Sequence, residues 1–583
     1  MAPVTILGGP QAGSTRRAWT SAALIGAGLL VFLSSQHVAA LSIPFINDDY
    51  VFLDKTRSAS FTSLWGLEDL SFHWYRPWSR ELHYWVLQRL FGARELPFHL
   101  VSFALWLAIL VSFWVLGRRL AGARAAAVAV AGMASLAAWG VPLLWVASVQ
   151  ELWVLLFSLL TMLAWVSGKR ALATAALALA LLSKESAAVL APLLVASSVL
   201  LDGHRPWLAV KRAIAPLAVT TLWAAVHPLL GGRLWHPLPL PAATHGVSPG
   251  PYLLWRALTV AVNVDALPRP EHGWTSALAT GAIGAVILSA TVMAARRGAD
   301  VPAPERGPAG KRSLLRFAAV WALLGWMPLI MPSLGWHAYY ALLGCFGVWL
   351  ALGAALERWP WAGVGLVATL ALVRPARADT PSLDWGSEWY QGRAAEFIRA
   401  MRAQLQEAHP RLSPHSRLFF VRVPSNVGFL AGDGPALRVW YRDSTLRAGY
   451  YSSYLPRGPS DPAGPDLFFR FDSTSGWIEV VSGPEDLARA RLANPRWEKD
   501  HATLAVTLAR AGDWKPAGAE YEKLAAAQPG RVDYAYDAGL CFESIGDSTS
   551  AARWYARAAA LPDADAEVRR TSERFAHHLR GPP

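Results

Sequence analysis

The chain has 583 residues, of which 54% are hydrophobic and only 16% charged, with 29 Trp and a formal net charge of +13. A mean hydropathy of +0.27 with so few charges excludes an ordinary soluble globular chain and points to a membrane protein. The basic excess does not mark a nucleic-acid binder, because lysines and arginines stand between apolar runs and not together on one face. Two cysteines, Cys345 in an apolar run and Cys541 near the C-terminus, offer neither a metal-site spacing nor an evident disulfide.

In chain order, apolar stretches predict spans over 20–41, 99–117, 123–141, 150–167, 170–183, 187–201, 213–230, 274–295, 315–332, 337–356 and 359–373, about eleven transmembrane helices in all. Basic residues gather in alternate connections: Arg16 and Arg17; Arg118, Arg119 and Arg124; Lys169 and Arg170; Arg205, Lys211 and Arg212; Arg296 to Arg316; and Arg358. Those connections read as cytoplasmic. The first stretch ends in "HVAALS", which resembles a signal-peptide cleavage site, but its apolar run is long enough to span. With a cytoplasmic N-terminus and an odd number of spans, the first loop, 42–98, and everything after Ala376 lie on the exported face. The membrane domain is expected to cover residues 1–375.

The first exported loop carries "INDDY", "HWYRPWSREL", "HYWVLQRLFG" and "LPFH". Asp48 and Asp49 stand together a few residues beyond a hydrophobic span, where the like charge of one raises the pKa of the other. Such a pair suits proton abstraction at a membrane surface; a solvated acidic turn closing a helix is the plainer alternative. Lys184 and Glu185 interrupt an apolar stretch running from Ala171 to Leu201, where a charge is costly unless it has a partner or a task. They predict a lipid-phosphate contact through Lys184 with Glu185 positioning it, or else a tight loop with a mutually neutralising pair. Arg76, in "HWYRPW", either grips a phosphate or anchors an interfacial helix.

Tyr50, Tyr75 and His337 are candidate pocket residues. His73, His83, His99, His236, His245 and His272 lack ligand spacing, and no Gly-rich phosphate loop argues for a cytoplasmic nucleotide-sugar site. The Pro-, Gly- and Trp-rich connection from Gly231 to Gly273 could cover a bound lipid or simply lie in the interface.

Beyond the membrane domain, 376–495 reads as an exported linker and a small β-containing module, with "RLFFVRV", "ALRVWYR", "DLFFRF" and "WIEVV" as its strands. From 496 to 583 the pattern turns helical and repeats. Leu508 and Phe542, Gly512 and Gly546, Asp513 and Asp547, Ala517 and Ala551, and Tyr521 and Tyr555 are each 34 positions apart, the tetratricopeptide period. The fold class is therefore a polytopic α-helical membrane protein with an exported C-terminal α+β region ending in tetratricopeptide-like repeats.

The ordered set of a double acid, a Tyr-Arg-Pro segment, a Gly and a His before the second span, "SVQELWVLLFSLLTMLAW", "LLSKESA" and "WHAYYALLG" resembles the GT-C superfamily of polyprenyl-phosphate-sugar-dependent glycosyltransferases. The likeness is greatest to protein O-mannosyltransferases with transmembrane and tetratricopeptide repeats and to their bacterial relatives. It covers roughly residues 20–360 and returns in the terminal repeats. The resemblance implies transfer of a sugar from a polyprenyl-phosphate donor to an acceptor hydroxyl, with Asp48 as general base and Asp49 orienting the site or helping to bind a divalent cation. No cofactor beyond that cation is implied. His337 stands where relatives carry an Arg before the Tyr, which leaves its role open. Implied partners are the lipid-linked sugar, membrane lipid, a protein or envelope-glycan acceptor and a protein bound through 496–583, and no nucleic acid. An Ala-, Arg- and Trp-rich composition fits a bacterial inner membrane with the C-terminal region in the periplasm. The rival expectation is a noncatalytic membrane-anchored scaffold for envelope proteins; a transporter is disfavoured because the polar residues gather at one face.

Overall fold

The computed structural model describes residues 34–67, 70–71, 74–227, 250–263, 310–330, 336–359, 386–421, 434–450, 461–472, 476–479 and 497–576, with a few positions between them. They form two compact units, one drawn from Met1–Ala403 and the other from Gln404–Pro424 and Ala431–Pro583.

The first unit is helical. Its elements are α1 (Asp48–Arg57), α2 (His83–Phe91), α3 (Glu95–Ala121), α4 (Ala123–Ala134), α5 (Val149–Val166), α6 (Arg170–Leu181), α7 (Leu190–Leu200), α8 (Ile214–Val226), α9 (Gly250–Ala261), α10 (Lys311–Trp326), α11 (Leu342–Leu356) and, up to Ala403, α12 (Glu388–Ala408). Helix α3 packs on α4 and α5, α5 on α6, and α11 on both α4 and α10. Small residues make the close crossings: a Cβ on Gly325 would lie 2.6 Å from the backbone of Gly344, and one on Gly353 would lie 2.3 Å from the carbonyl of Ala125. Apolar helices gain nothing from hiding one another in lipid, so backbone approach through glycine and alanine supplies the packing.

Among the described residues, Glu95–Ala121, Val146–Val166, Lys311–Ile330 and Ala338–Leu356 are long and apolar enough to cross a bilayer. Counting Ala123–Ala134 with Ala137–Leu144, bent by 57°, and Pro206–Arg212 with Ile214–Val226, bent by 67°, brings the number to six. Shorter apolar helices run over Arg170–Leu181 and Glu185–Leu200. The chain is on this ground an integral membrane protein. Expected spans at 274–295, most of 20–41 and most of 359–373 fall outside the described residues, as does most of the 231–273 connection. The bend after α4 has a cause. The buried side chain of Asn263 accepts from Ala137 N at 2.8 Å and donates to Ser135 O at 2.9 Å, satisfying backbone groups that a continuous helix would have paired.

The second unit holds a four-stranded sheet in the order β2-β1-β3-β4, from β1 (Arg417–Val421), β2 (Arg447–Tyr450), β3 (Asp466–Asp472) and β4 (Gly476–Glu479). Strand β1 runs parallel to both β2 and β3, and β4 closes antiparallel on β3. One expectation is corrected here. The run "ALRVWYR" is not a strand but lies in helix α13 (Pro435–Tyr441). Pro435 at its first turn after a left-handed Gly434 starts a helix, and Ala436, Leu437, Val439 and Trp440 are buried at helical spacing.

Five further helices follow: α14 (Trp497–Arg510), α15 (Trp514–Ala527), α16 (Val532–Ser544), α17 (Ser548–Ala559) and α18 (Ala566–Phe575). Each packs on the next. Gly512 and Gly546, 34 residues apart, both take positive φ, +82° and +79°, where the chain turns between helices.

Candidate active site

The site begins in the tight turn before α1. Asn47 takes φ 48° and ψ −124°, so Asp48 and Asp49 open the helix at its first turn, where the dipole favours carboxylates. The two acids then part company. Asp49 is fully buried: its Oδ1 accepts from the Tyr84 hydroxyl at 2.7 Å and from Ala147 N at 2.6 Å, and its Oδ2 accepts from Ile46 N at 2.8 Å. It ties α1 to α2 and to the turn ahead of α5. Asp48 makes no side-chain hydrogen bond among the described residues and faces a cavity.

That cavity has a volume of about 230 Å³, and its charged lining is Asp48, Glu151, Arg76, Arg80 and Lys184, joined by Gln150 and the rings of Trp74, Trp145, Tyr339 and Tyr340. Three basic side chains therefore face two carboxylates; burial and then the neighbouring Arg76 pull the Lys184 ammonium well below the usual lysine range, with Glu185 opposing.

Each basic side chain is held in place. Residues Pro77–Leu82 form a wide π-type turn that begins on the proline after Arg76. Ser79 Oγ donates to Ser183 O at 2.7 Å, and Trp78 N donates to Leu182 O at 3.2 Å, which docks this turn against the loop bearing Lys184. Arg76 donates through Nε and Nη2 to Glu185 and through Nη1 to Gln150 Oε1 at 2.7 Å. His227 Nε2 lies 3.3 Å from Glu185 Oε1. Arg80 bonds Glu81 and the carbonyls of Ser71 and Trp74. Lys184 pairs with Glu151, and its ammonium lies 4.0 Å from the centre of the Tyr340 ring.

Burial pushes the Asp48 carboxyl up to about 6, with Arg80 and then Arg76 pulling it back. Burial pushes Asp49 up as well, against the three donors that favour its charged form. Asp48 is thus the accessible acid of the pair, charged near neutral pH and free to accept a proton, while Asp49 is committed to holding the turn.

Of the residues singled out in the sequence, the cavity brings together Asp48, Arg76 and Lys184. Glu185 lies behind Arg76, and Lys184 takes Glu151, not Glu185, as its partner. Lys184 is in extended conformation, so its side chain and that of its neighbour leave the backbone on opposite sides. Tyr50 is buried beside Phe45. Tyr75 donates to Trp65 O at 3.3 Å, and neither tyrosine lines the cavity. His337 is buried and stacks on Tyr339, which does. Arg80, Gln150, Glu151, Tyr339 and Tyr340 were not singled out. A carboxylate and an amide within the apolar run after Trp145 were the available signal for two of them. Among the described residues, no group of three or more His, Cys, Asp or Glu side chains is placed to hold a metal ion.

No protein-family model matches the chain, and no curated protein matches its sequence. Among solved structures it is similar to ArnT from Cupriavidus metallidurans bound to undecaprenyl phosphate, at 15% identity and a TM-score of 0.45 over 78% of this chain and 94% of that one. The same protein in the apo state gives 14% and 0.44 over the same shares. The Archaeoglobus fulgidus oligosaccharyltransferase in complex with zinc and sulfate gives 11% and 0.39, over 73% of this chain and 62% of that one. These are likenesses of fold at low identity and say nothing of the site's chemistry.

Proposed function

We propose that the protein is a membrane glycosyltransferase that moves a sugar from a polyprenyl-phosphate carrier to an acceptor hydroxyl on the exported face. One observation carries the reading: the Asp48 carboxylate, with no hydrogen bond of its own among the described residues, opens onto a cavity shared with Arg76, Arg80 and Lys184. A base must meet the acceptor proton without a competing donor, and a departing phosphate needs cations beside it. In this scheme Asp48 takes the acceptor hydroxyl proton as the oxygen attacks the anomeric carbon. The bond to the phosphate oxygen breaks with its electron pair, and Lys184 with Arg76 receives the charge. The cavity is small beside drug-sized pockets of about 300–1,000 Å³, which suits one sugar with its phosphate.

Residues 1–375 would form the transferase domain, with 376–495 and the tetratricopeptide-like repeats of 496–583 exported to the periplasm of a bacterial inner membrane, where the repeats present an acceptor protein or another envelope partner. The test is transfer of labelled sugar from a polyprenyl-phosphate donor in membranes holding matched amounts of wild type or Asp48→Asn. Transfer by the wild type and its loss in the variant support the reading. Equal transfer by both removes Asp48 as base, and consumption of donor by neither favours a scaffold.

A further inference from the structure

The start of α12 is distant in sequence from the double acid yet touches Asn47, the residue just before it. Asn47 Nδ2 donates to Gln391 Oε1 at 2.6 Å across 344 residues, and Gln391 is wholly buried. Asn47 is also the residue whose positive φ of 48° aims α1, a conformation that side chains rarely adopt. The turn is pinned on one side by the Asp49 to Ile46 bond and in its middle by Gln391. Asp48 has no such bond, so the backbone of this turn, with the attraction of Arg80 and Arg76, sets the direction of its carboxylate. The same segment also lies behind a lining residue of the cavity: a Cβ on Gly386 would fall 2.1 Å from His337, whose ring stacks on Tyr339. A third tie, Arg399 to Ser42 O at 3.0 Å, holds α12 along the approach to α1.

We propose that Gln391 is a positioning residue for the transfer reaction: by holding Asn47 in its positive-φ turn it aims Asp48 into the cavity, which makes the start of α12 part of the catalytic apparatus. This rests on the transferase reading above.

The test uses the purified full chain in lipid nanodiscs. Gln391→Ala should lower kcat about tenfold or more, with the KM for donor changed less than about threefold, since a misaimed base costs rate and not binding. Gln391→Glu keeps the accepting oxygen and should retain most of kcat. Asn47→Gly reaches the same turn without a side-chain clamp, so added to Gln391→Ala it should restore kcat to within about threefold of Asn47→Gly alone.

A second readout needs no transfer. Cys345 and Cys541 are both buried, so the thiol of an Asp48→Cys chain can be followed by its rate of alkylation with iodoacetamide. Adding Gln391→Ala should change that rate about fivefold or more. A changed alkylation rate in a protein that uses no donor keeps the positioning role and overturns the transferase reading. Transfer with neither kcat nor alkylation responding does the reverse. Equal losses of melting temperature and activity in Gln391→Ala and Gln391→Glu would reduce the contact to a structural one and overturn the proposal.

Discussion

Arg76 and Glu185, 109 residues apart in the chain, meet fork to fork: Nε and Nη2 of the guanidinium donate to the carboxylate at 2.6–3.1 Å. Both side chains are largely buried, 11% and 15% exposed. This pair clasps the start of the Pro77–Leu82 turn to the start of the Glu185–Leu200 helix.

Glu185→Ala should therefore destabilise the chain, because it leaves a buried guanidinium half satisfied, at a cost of about 3–5 kcal/mol. Arg76→Lys should be nearly as harmful, since an ammonium cannot reproduce the fork. Thermal melting of the purified chain is the measurement, and a melt equal to that of the wild type would show that the clasp carries no stability.

The raised pKa of Asp48 sets the direction of the pH dependence. Burial favours the protonated form and holds the proton up to about 6. A base acts only once that proton is gone, so kcat/KM should rise with pH through about 6 and then level off, falling about tenfold per pH unit below it. An ordinary aspartate would keep its activity to about pH 4. A rate that stays flat from neutral pH down to that value would exclude Asp48 as the titrating base.

In the helical repeats, Gly539 of α16 faces the buried ring of Tyr555 on α17, and a Cβ there would come within 2.7 Å of that ring. The Tyr555 hydroxyl donates to Glu543 at 2.5 Å, so the ring cannot turn away without losing its partner. Gly539→Ala should overpack the hairpin at a cost of about 1–3 kcal/mol. Limited proteolysis of the full chain should then cut within 497–576 sooner than in wild type, while consumption of a lipid-linked donor stays unchanged, since the cavity residues belong to the other unit. Unaltered proteolysis would mean the hairpin relaxes around the added methyl.

Legibility varied with how local the cause was. Asp48, Arg76 and Lys184 stood out because a charge beside or within an apolar run is costly and needs a reason. The long apolar helices of the first unit stood out because bilayer thickness dictates run length, whereas Asp48–Arg57, His83–Phe91 and Glu388–Ala408, which are not such runs, did not. "ALRVWYR" misled because short apolar runs fit a strand or a helix equally well, and only the left-handed Gly434 ahead of Pro435 made it a helix. Lys184 and Glu185 read as a pair because they are adjacent, yet extended backbone sends neighbours to opposite sides.

The sequence alone determined that the chain is apolar enough for a membrane, that its charges are few and clustered, and that its last helices repeat with a period of 34. Those are properties of composition and spacing, which need no third dimension. Tertiary structure decided which acid of Asp48 and Asp49 faces the cavity, because burial and three donors claim one and leave the other. It decided that Glu151 partners Lys184, and that Gln391 reaches Asn47 from 344 positions away. Contacts of that separation depend on how helices cross, and helix crossing is set by packing that no local pattern records.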